Sequence, residues 1–134
     1  MNGVTELHSL LASMRPLLSA TPFAFATVAA LQDVPPFVSI LAIFQEDEGL
    51  SIIAPFDQIE RAELTHSLPW AKISLSVVSS LSAVGLTAAI SSALAKEGIS
   101  ANVVAAYFHD HIFVPWDSRE AALQVLNELG NGLR

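Results

Sequence analysis

Residues 98–116 read GISANVVAAYFHDHIFVPW, and this stretch decides which fold the sequence predicts. Gly98 is typical of a residue that ends a helix. The apolar run at residues 101–108 predicts a strand, His109 and Asp110 are expected at the tip of a hairpin, and residues 111–115 are expected to return as a second strand. The stretch therefore predicts a helix end followed by a β-hairpin.

The sequence upstream of this hairpin predicts a strand, a loop and a helix. Ile73, Leu75 and Val77 alternate with polar residues, as in a half-buried strand. Small residues at 79–85 predict a loop. The helix that follows has its apolar residues at helical spacing, which predicts this buried stripe: Leu86, Ala89, Ile90, Ala93 and Leu94.

Downstream of the hairpin, Asp117 with Glu120 three residues later predicts the start of a last helix, and Gly130 its end. Its expected buried face is Ala122, Val125, Leu126 and Leu129. The second half of the chain then reads β-α-β-β-α. This order is most of a ferredoxin-like unit.

The first half of the chain predicts the order α-β-β-β-α. Its expected elements are a helix ended by Pro16, a strand at 23–31, a central strand at 38–44, a turn at 46–49, a strand at 50–54 and a helix capped by Asp57. Two ferredoxin-like (βαββαβ) α+β units in tandem, one of them permuted or completed by the other, account for both halves. We place them at residues 1–68 and 69–134.

Composition limits the classes of function. Of the 134 residues 52% are hydrophobic, which favours a compact fold with part of its apolar surface in a homo-oligomer interface. The net charge is −7 with no Lys/Arg cluster, so we expect no nucleic-acid binding. Cysteine is absent, which excludes disulfides and thiolate chemistry and is compatible with a reducing, cytoplasmic location.

One uncharged stretch has the length of a membrane span. Residues 73–95 carry no charge, but serines and Gly85 interrupt them, and the apolar spacing changes from two to helical along the way. A strand followed by a helix explains this pattern better than a transmembrane segment. The N-terminus also lacks the pattern of a signal peptide.

The junction of loop and helix before Leu86 is a candidate anion site. The first amides of a helix have no intrahelical acceptor and point outward, so they suit a carboxylate. Gly85 allows a ligand or a second backbone to approach closely. The alternative interpretation is that the small residues only let this helix pack tightly on its sheet.

The polar hairpin at residues 108–111 allows four interpretations. His109 and His111 form a His-x-His pair that lacks a third metal ligand at recognisable spacing, so we expect no metal. A hydrolytic pair lacks a nucleophile motif. Asp110 can accept backbone amides in a tight turn, or it can bind a cationic group of a ligand. Asn102, early in an apolar strand, needs a partner if it is buried, and it can tie the Gly85 loop to the sheet or touch a ligand.

Three segments together resemble a known family: residues 77–90 (VVSSLSAVGLTAAI), 95–104 (AKEGISANVV) and 107–115 (YFHDHIFVP). They resemble the ACT-domain proteins related to the CASTOR arginine sensors, especially the small bacterial and fungal tandem-ACT members. The resemblance covers residues 70–130 well and the first half more loosely. It implies two ferredoxin-like ACT units that pair side by side and bind an amino acid at the pairing interface.

The resemblance also implies which residues contact the ligand. Its glycine after the first strand matches Gly85, and its ligand-contacting aspartate matches Asp110. The ligand-binding set that it implies is Val84, Gly85, Leu86, Asn102, Val103, Ala106, Tyr107 and Asp110.

Three functions follow from these observations. The first is a cytoplasmic, homodimeric regulatory module that binds an amino acid or a similar small zwitterion, without a cofactor. The second is an interaction or dimerisation module that has no small-molecule ligand. The third, a small enzyme, is disfavoured because no spacing brings a base beside a nucleophile.

Overall fold

The computed structural model describes residues 3–76 and 85–131, with side chains from Leu7 onward. The chain forms two compact units. The central unit is Ala20–Trp70, and the terminal unit combines the residues up to Ser19 with those from Ala71 onward. The second boundary lies two residues from the predicted division at 68/69, whereas the N-terminal segment belongs with the second half of the chain.

Within the described residues, the terminal unit contains four strands and three α-helices. They are α1 (Gly3–Ser13), β1 (Arg15–Leu18), β6 (Trp70–Ser76), α3 (Leu86–Lys96), β7 (Asn102–Ala105), β8 (Asp110–Pro115) and α4 (Arg119–Asn131). The strands lie in the order β1-β6-β8-β7, with β1 antiparallel to β6 and β7 antiparallel to β8. This is a ferredoxin-like unit in which an N-terminal strand takes the place of the last one.

The core of the terminal unit lies between its sheet and its helices. Strand residues point to this core alternately, as the period of two requires. The helices contribute residues at three- and four-residue spacing, which confirms the predicted stripes. The residues with the least exposure are Met14, Ala71, Ile73, Leu75, Leu86, Ile90, Leu94, Ile112, Val114, Ala122 and Leu126.

The central unit has the same strand plan but less helix. Its elements are β2 (Phe23–Val28), a 3-10 turn (Leu31–Asp33), β3 (Ala42–Glu46), β4 (Gly49–Pro55), α2 (Phe56–Arg61) and β5 (Thr65–His66). The antiparallel order is β3-β4-β2-β5. Its smaller core consists of Ala24, Ala26, Val38, Ile52, Ala54 and Ile59.

In the first half, one strand prediction was wrong and one strand was not predicted. The strand expected at 38–44 as a central strand begins only at Ala42 and lies at the edge of the sheet. Val38 is buried, but it belongs to a loop, so its apolar character reports burial and not strand structure. Strand β1 was missed because Pro16 was interpreted only as a helix breaker.

Two helix boundaries also differ from their predictions. Pro55, and not Asp57, occupies the N-cap position of α2. Asp57 lies inside the helix, where its carboxylate accepts a hydrogen bond from the Gln58 amide at 3.0 Å. Helix α4 continues through Gly130 to Asn131, since this buried glycine packs within the helix and does not end it. The stop at Gly98 is confirmed, with α3 ending at Lys96 and Gly98 at φ +70°.

The uncharged stretch at residues 73–95 contains the end of β6 and most of α3, as predicted, and its middle lies outside the described residues. No helix in the described parts of the chain is long and apolar enough to cross a membrane.

Candidate functional site

One edge of the terminal unit brings together the ends of several elements. Arg15 at the start of β1 pairs with Ser76 at the end of β6. The Ser74 hydroxyl and His111 Nδ1 share a hydrogen bond of 2.8 Å, which fixes the start of β8 beside the end of β6. Helix α3 starts toward this same edge, because its other end leads through a short loop into the first residue of β7. The β7–β8 turn and the start of α3 therefore belong to one edge.

Gly85 is the N-cap of α3 and has a left-handed backbone, with φ +89° and ψ −14°. A Cβ at this position would lie 3.3 Å from Leu7 Cδ2 of α1. The close neighbour of Gly85 is therefore a side chain of the same unit. No local pattern predicts this contact, because Leu7 lies far from Gly85 along the chain.

Helix α3 presents amides at its start. The amide of Ala89 donates to the Gly85 carbonyl at 2.9 Å, so the amides of residues 86–88 precede the first intrahelical bond. The side chain of Leu86 is 2% exposed and packs in the core. Leu86 can therefore offer a ligand its backbone only.

The predicted residues on β7 and β8 divide between the two faces of the sheet. Val103 packs against the core, and Asp110 is in phase with the buried Ile112, so both lie on the face that the helices cover. Asp110 is half-buried. Asn102 is exposed and pairs with Phe113 on the opposite face. Asn102 is thus separated by the sheet from Val103 and Asp110.

The hairpin tip lies two residues earlier than predicted. The Ala106 amide donates to the His109 carbonyl at 3.0 Å and closes the turn, so Asp110 is the first residue of β8 and pairs with Ala105. Tyr107 and Phe108 form the tip, 81% and 78% exposed, with their rings 4.9 Å apart in edge-to-face contact. Tyr107 projects into solvent, and the Ala106 amide is already bonded.

His111 lies on the sheet face opposite the helices. Burial is the main cause that lowers the pKa of His111, and the charges of Lys72 and His109 lower it further, while Asp110 acts in the opposite direction. The rings of His109 and His111 are 6.3 Å apart. Within residues 3–76 and 85–131, no group of three or more His, Asp or Glu side chains is placed to hold a metal ion. The Ser74–His111 bond was not predicted, although the alternation of both strands places the two residues on one face.

The topology thus places the start of α3, with Gly85 and Leu86, and Asp110 at one edge of the terminal unit, whereas Val103 lies nearer the other end of β7, on the same helix-covered face as Asp110. Val84 lies outside the described residues. A separate surface cleft of about 410 Å³ lies elsewhere on the unit, between the end of α3 and α4. Its lining includes Glu97, Asp117 and Glu128 but none of the predicted ligand residues.

Known proteins match nearly the whole chain. Two sequence profiles described as ACT domain match residues 67–128 and 2–71. A Vibrio cholerae protein of unknown function, described as a possible transport protein, shares 43% identity over 96% of this chain and 99% of its own, with a TM-score of 0.87. No curated protein matches the sequence.

More distant structures share the fold. A protein from Agobacterium tumefaciens is 22% identical over 87% of this chain and 89% of its own, with a TM-score of 0.70. The ligand-free regulatory subunit of aspartate kinase from Thermus thermophilus is 15% identical over 85% of this chain and 95% of its own, with a TM-score of 0.66. The predicted fold of two ferredoxin-like units in tandem is confirmed.

Proposed function

This chain belongs to the ACT-domain family, and we propose that it is a regulatory module that binds an amino acid or a similar small zwitterion at the edge of its terminal unit. The observation that carries the proposal is that the start of α3 and Asp110 lie at the same edge and on the same face of one sheet. ACT units serve regulation in the aspartate kinase subunit that shares this fold.

The ligand carboxylate binds at the start of α3. Amides of the first turn lack intrahelical acceptors, and the positive end of the helix dipole favours an anion there. The proposed contacts are the backbones of Val84, Gly85 and Leu86, with Val103 on the adjoining strand. Because Leu86 is buried, its side chain supports the helix and does not contact the ligand.

The ligand ammonium binds at Asp110. A half-buried carboxylate makes a stronger charge-assisted hydrogen bond than an exposed one, because solvent screens it less. Asn102, Ala106 and Tyr107 are proposed as ligand contacts from a second copy. Within one chain, Asn102 lies on the opposite sheet face from Asp110, the Ala106 amide is already bonded, and Tyr107 projects into solvent. Binding at such an interface stabilises a homodimer by mass action.

The proposal also covers the kind of protein and its location in the cell. The module acts without catalysis or a cofactor, in the cytoplasm, and belongs with the CASTOR-related tandem-ACT proteins. Any signal requires the ligand to have different affinities for two states of the protein or of its assembly.

The experiment is a thermal-shift screen of the full chain against each proteinogenic amino acid. At least one is expected to raise the melting temperature in a saturable manner, and Asp110→Asn is expected to weaken its affinity by about tenfold or more. Asp47→Asn, the same change of charge in the exposed β3–β4 turn, is the matched control. No shift with any amino acid, or an equal affinity in Asp110→Asn, contradicts the proposal.

A second candidate function is a pure interaction module. The largely exposed Tyr107–Phe108 pair favours it, because aromatic side chains are enriched in protein interfaces. Gly85→Leu is a poor discriminator, since any side chain there meets Leu7 and strains the backbone. Phe108→Ser discriminates better, because Phe108 is outside the proposed ligand set: an interaction module loses its assembly, whereas a ligand-binding module keeps its ligand-induced thermal shift.

A further inference from the structure

The sheet face of the terminal unit that lies opposite its helices carries polar side chains from two adjacent strands. Lys72 and Ser74 alternate along β6 with the core residues Ile73 and Leu75, so they point to this face. The Ser74–His111 hydrogen bond of 2.8 Å shows that His111 of the neighbouring strand β8 points the same way. Lys72, Ser74 and His111 are half-buried. Their polar groups therefore face one partly sheltered place.

Three groups that can carry a positive charge lie around Ser74, and together with it they form what we call the basic cluster: Lys72, Ser74, His109 and His111. The rings of His109 and His111 are 6.3 Å apart, and the charges of Lys72 and His109 both lower the pKa of His111. Like charges at such distances repel each other, and partial burial reduces the screening by water. The chain has 13 acidic residues against 6 lysines and arginines, so the basic cluster runs against its composition.

Two further charged residues lie near the basic cluster. Asp110 acts on His111 in the opposite sense, but its side chain is in phase with Ile112 and lies on the helix-covered face. Arg15, on β1, adds a positive charge, and its guanidinium donates to the Met14 carbonyl at 3.0 Å. Strand β7 places the uncharged Val104 opposite His111. Among these described neighbours, an anion on this face meets mainly positive charge.

The donors of the basic cluster suit a phosphate group. A carboxylate offers two oxygens, whereas a phosphate group offers at least three and carries up to two negative charges. Protonated His111 donates from Nδ1 to the Ser74 oxygen, which leaves the Ser74 hydroxyl hydrogen and His111 Nε2 for the anion. The Lys72 ammonium and the His109 ring supply further donors. Hydroxyl, imidazole and ammonium groups can thus each take a different phosphate oxygen.

We propose that the basic cluster binds a phosphate group, either inorganic phosphate or a small phosphate ester. This site is separate from the proposed amino-acid site, because the sheet lies between it and Asp110. The anion stabilises the charged form of His111, so binding is accompanied by proton uptake. Because burial and the charge of Lys72 lower the pKa of His111, the affinity is expected to rise as the pH falls below about 6.5.

The test is a titration of the full chain with sodium sulfate and with sodium phosphate, followed by NMR of the histidine rings at constant ionic strength. Sulfate is a tetrahedral dianion whose charge is constant over this pH range, so it reports the protein's part of the pH dependence. Its affinity is expected to be about tenfold higher at about pH 5.5 than at about pH 7.5. Methyl phosphate that binds as tightly as phosphate identifies an ester as the ligand, and weaker binding identifies the free ion.

Charge variants test the residues of the site. Lys72→Gln is expected to weaken sulfate binding by about tenfold, whereas Lys96→Gln, the same change at an exposed position of α3, is the matched control and is expected to keep the wild-type affinity. His111→Gln is expected to remove the pH dependence. His109→Gln, at an exposed position, repeats the test of affinity if Lys72→Gln does not fold.

Three outcomes overturn the phosphate site. They are the absence of a saturable shift with either anion, an unchanged affinity in Lys72→Gln and His109→Gln, and shifts confined to the amides at the start of α3. The amino-acid screen is carried out in a buffer without phosphate or sulfate. Failure of the phosphate site and failure of the amino-acid site are therefore distinguished.

Discussion

The two units share a strand plan, but the connection from β6 to β7 in the terminal unit differs from the equivalent connection, from β2 to β3, in the central unit. In the terminal unit the connection contains α3, an eleven-residue helix whose Leu86, Ile90 and Leu94 are buried. In the central unit, the connection from β2 to β3 contains a 3-10 turn and a loop, from which Val38 alone is buried. A helix buries three side chains at successive turns, whereas the loop buries one. The terminal unit therefore has both the larger core and the helix start at which an anion can bind.

The loop of the central unit is held by specific contacts in place of a packed stripe. The Ser39 amide donates to Gln58 Oε1 at 2.7 Å, and the guanidinium of Arg61 lies 4.1 Å from the centre of the Phe37 ring. Both partners come from α2. Helix α2 thus organises the loop that replaces the missing helix.

The largest expected effect compares the cores of these two connections. Ile90→Ala is expected to lower the free energy of unfolding by about 2–5 kcal/mol, because it leaves a cavity in a closed core. Val38→Ala removes less buried surface from a loop and is expected to lower it by about 1–2 kcal/mol. Urea denaturation of the full chain checks both values. Equal losses would show that the loop and the helix contribute equally, and would break the comparison.

An intermediate effect concerns the glycines at the two ends of α3. Gly85→Ala forces a left-handed residue against Leu7 and is expected to cost about 2–3 kcal/mol. Gly98→Ala imposes a left-handed residue with nothing within 4 Å and is expected to cost about 1–2 kcal/mol. Thermal unfolding measures the difference. If backbone strain causes most of the loss in Gly85→Ala, adding Leu7→Ala lowers the free energy of unfolding further. If the contact with Leu7 causes most of it, adding Leu7→Ala raises the free energy of unfolding again.

The smallest expected effect is a dependence of stability on pH that His111 of the terminal unit contributes. The folded pKa of His111 is lowered from 6.5, chiefly by burial, so the unfolded chain binds the proton more readily. Stability is then expected to fall as the pH drops below about 6.5 and through the folded pKa of His111. His111→Gln is expected to flatten this part of the profile, measured by urea unfolding at several pH values. An unchanged profile would assign the dependence to other groups.

The sequence predicted most of the elements because their apolar spacing is local. Helices α3 and α4, the β7–β8 hairpin and the acidic turn before Gly49 all have a period or a turn signal within a few residues. Strand β1 was not predicted, since its pairing with β6 joins residues that are distant in sequence. The apolar loop before β3 was interpreted as a central strand because periodicity cannot distinguish a buried loop from a buried strand.

The candidate site was predicted only in part. The resemblance selected Gly85 and Asp110, and the structure places both at one edge of the terminal unit. The resemblance could not show that Asn102 and Asp110 lie on opposite faces of the sheet, because that depends on how β7 and β8 pair. The roles of these residues in binding remain predictions.

The position of β1 has a consequence for synthesis of the chain. A ribosome releases this strand before its partner β6 has been made, and the whole central unit is translated in between. The central unit consists of consecutive residues, so it can fold as soon as it emerges. The first nineteen residues have no packing partner until the second half of the chain has been made. Until then Met14 and the leucines of α1 are exposed to water. Nascent chains that end before Ala71 therefore expose this apolar surface, because the strands and helices that cover it have not yet been made.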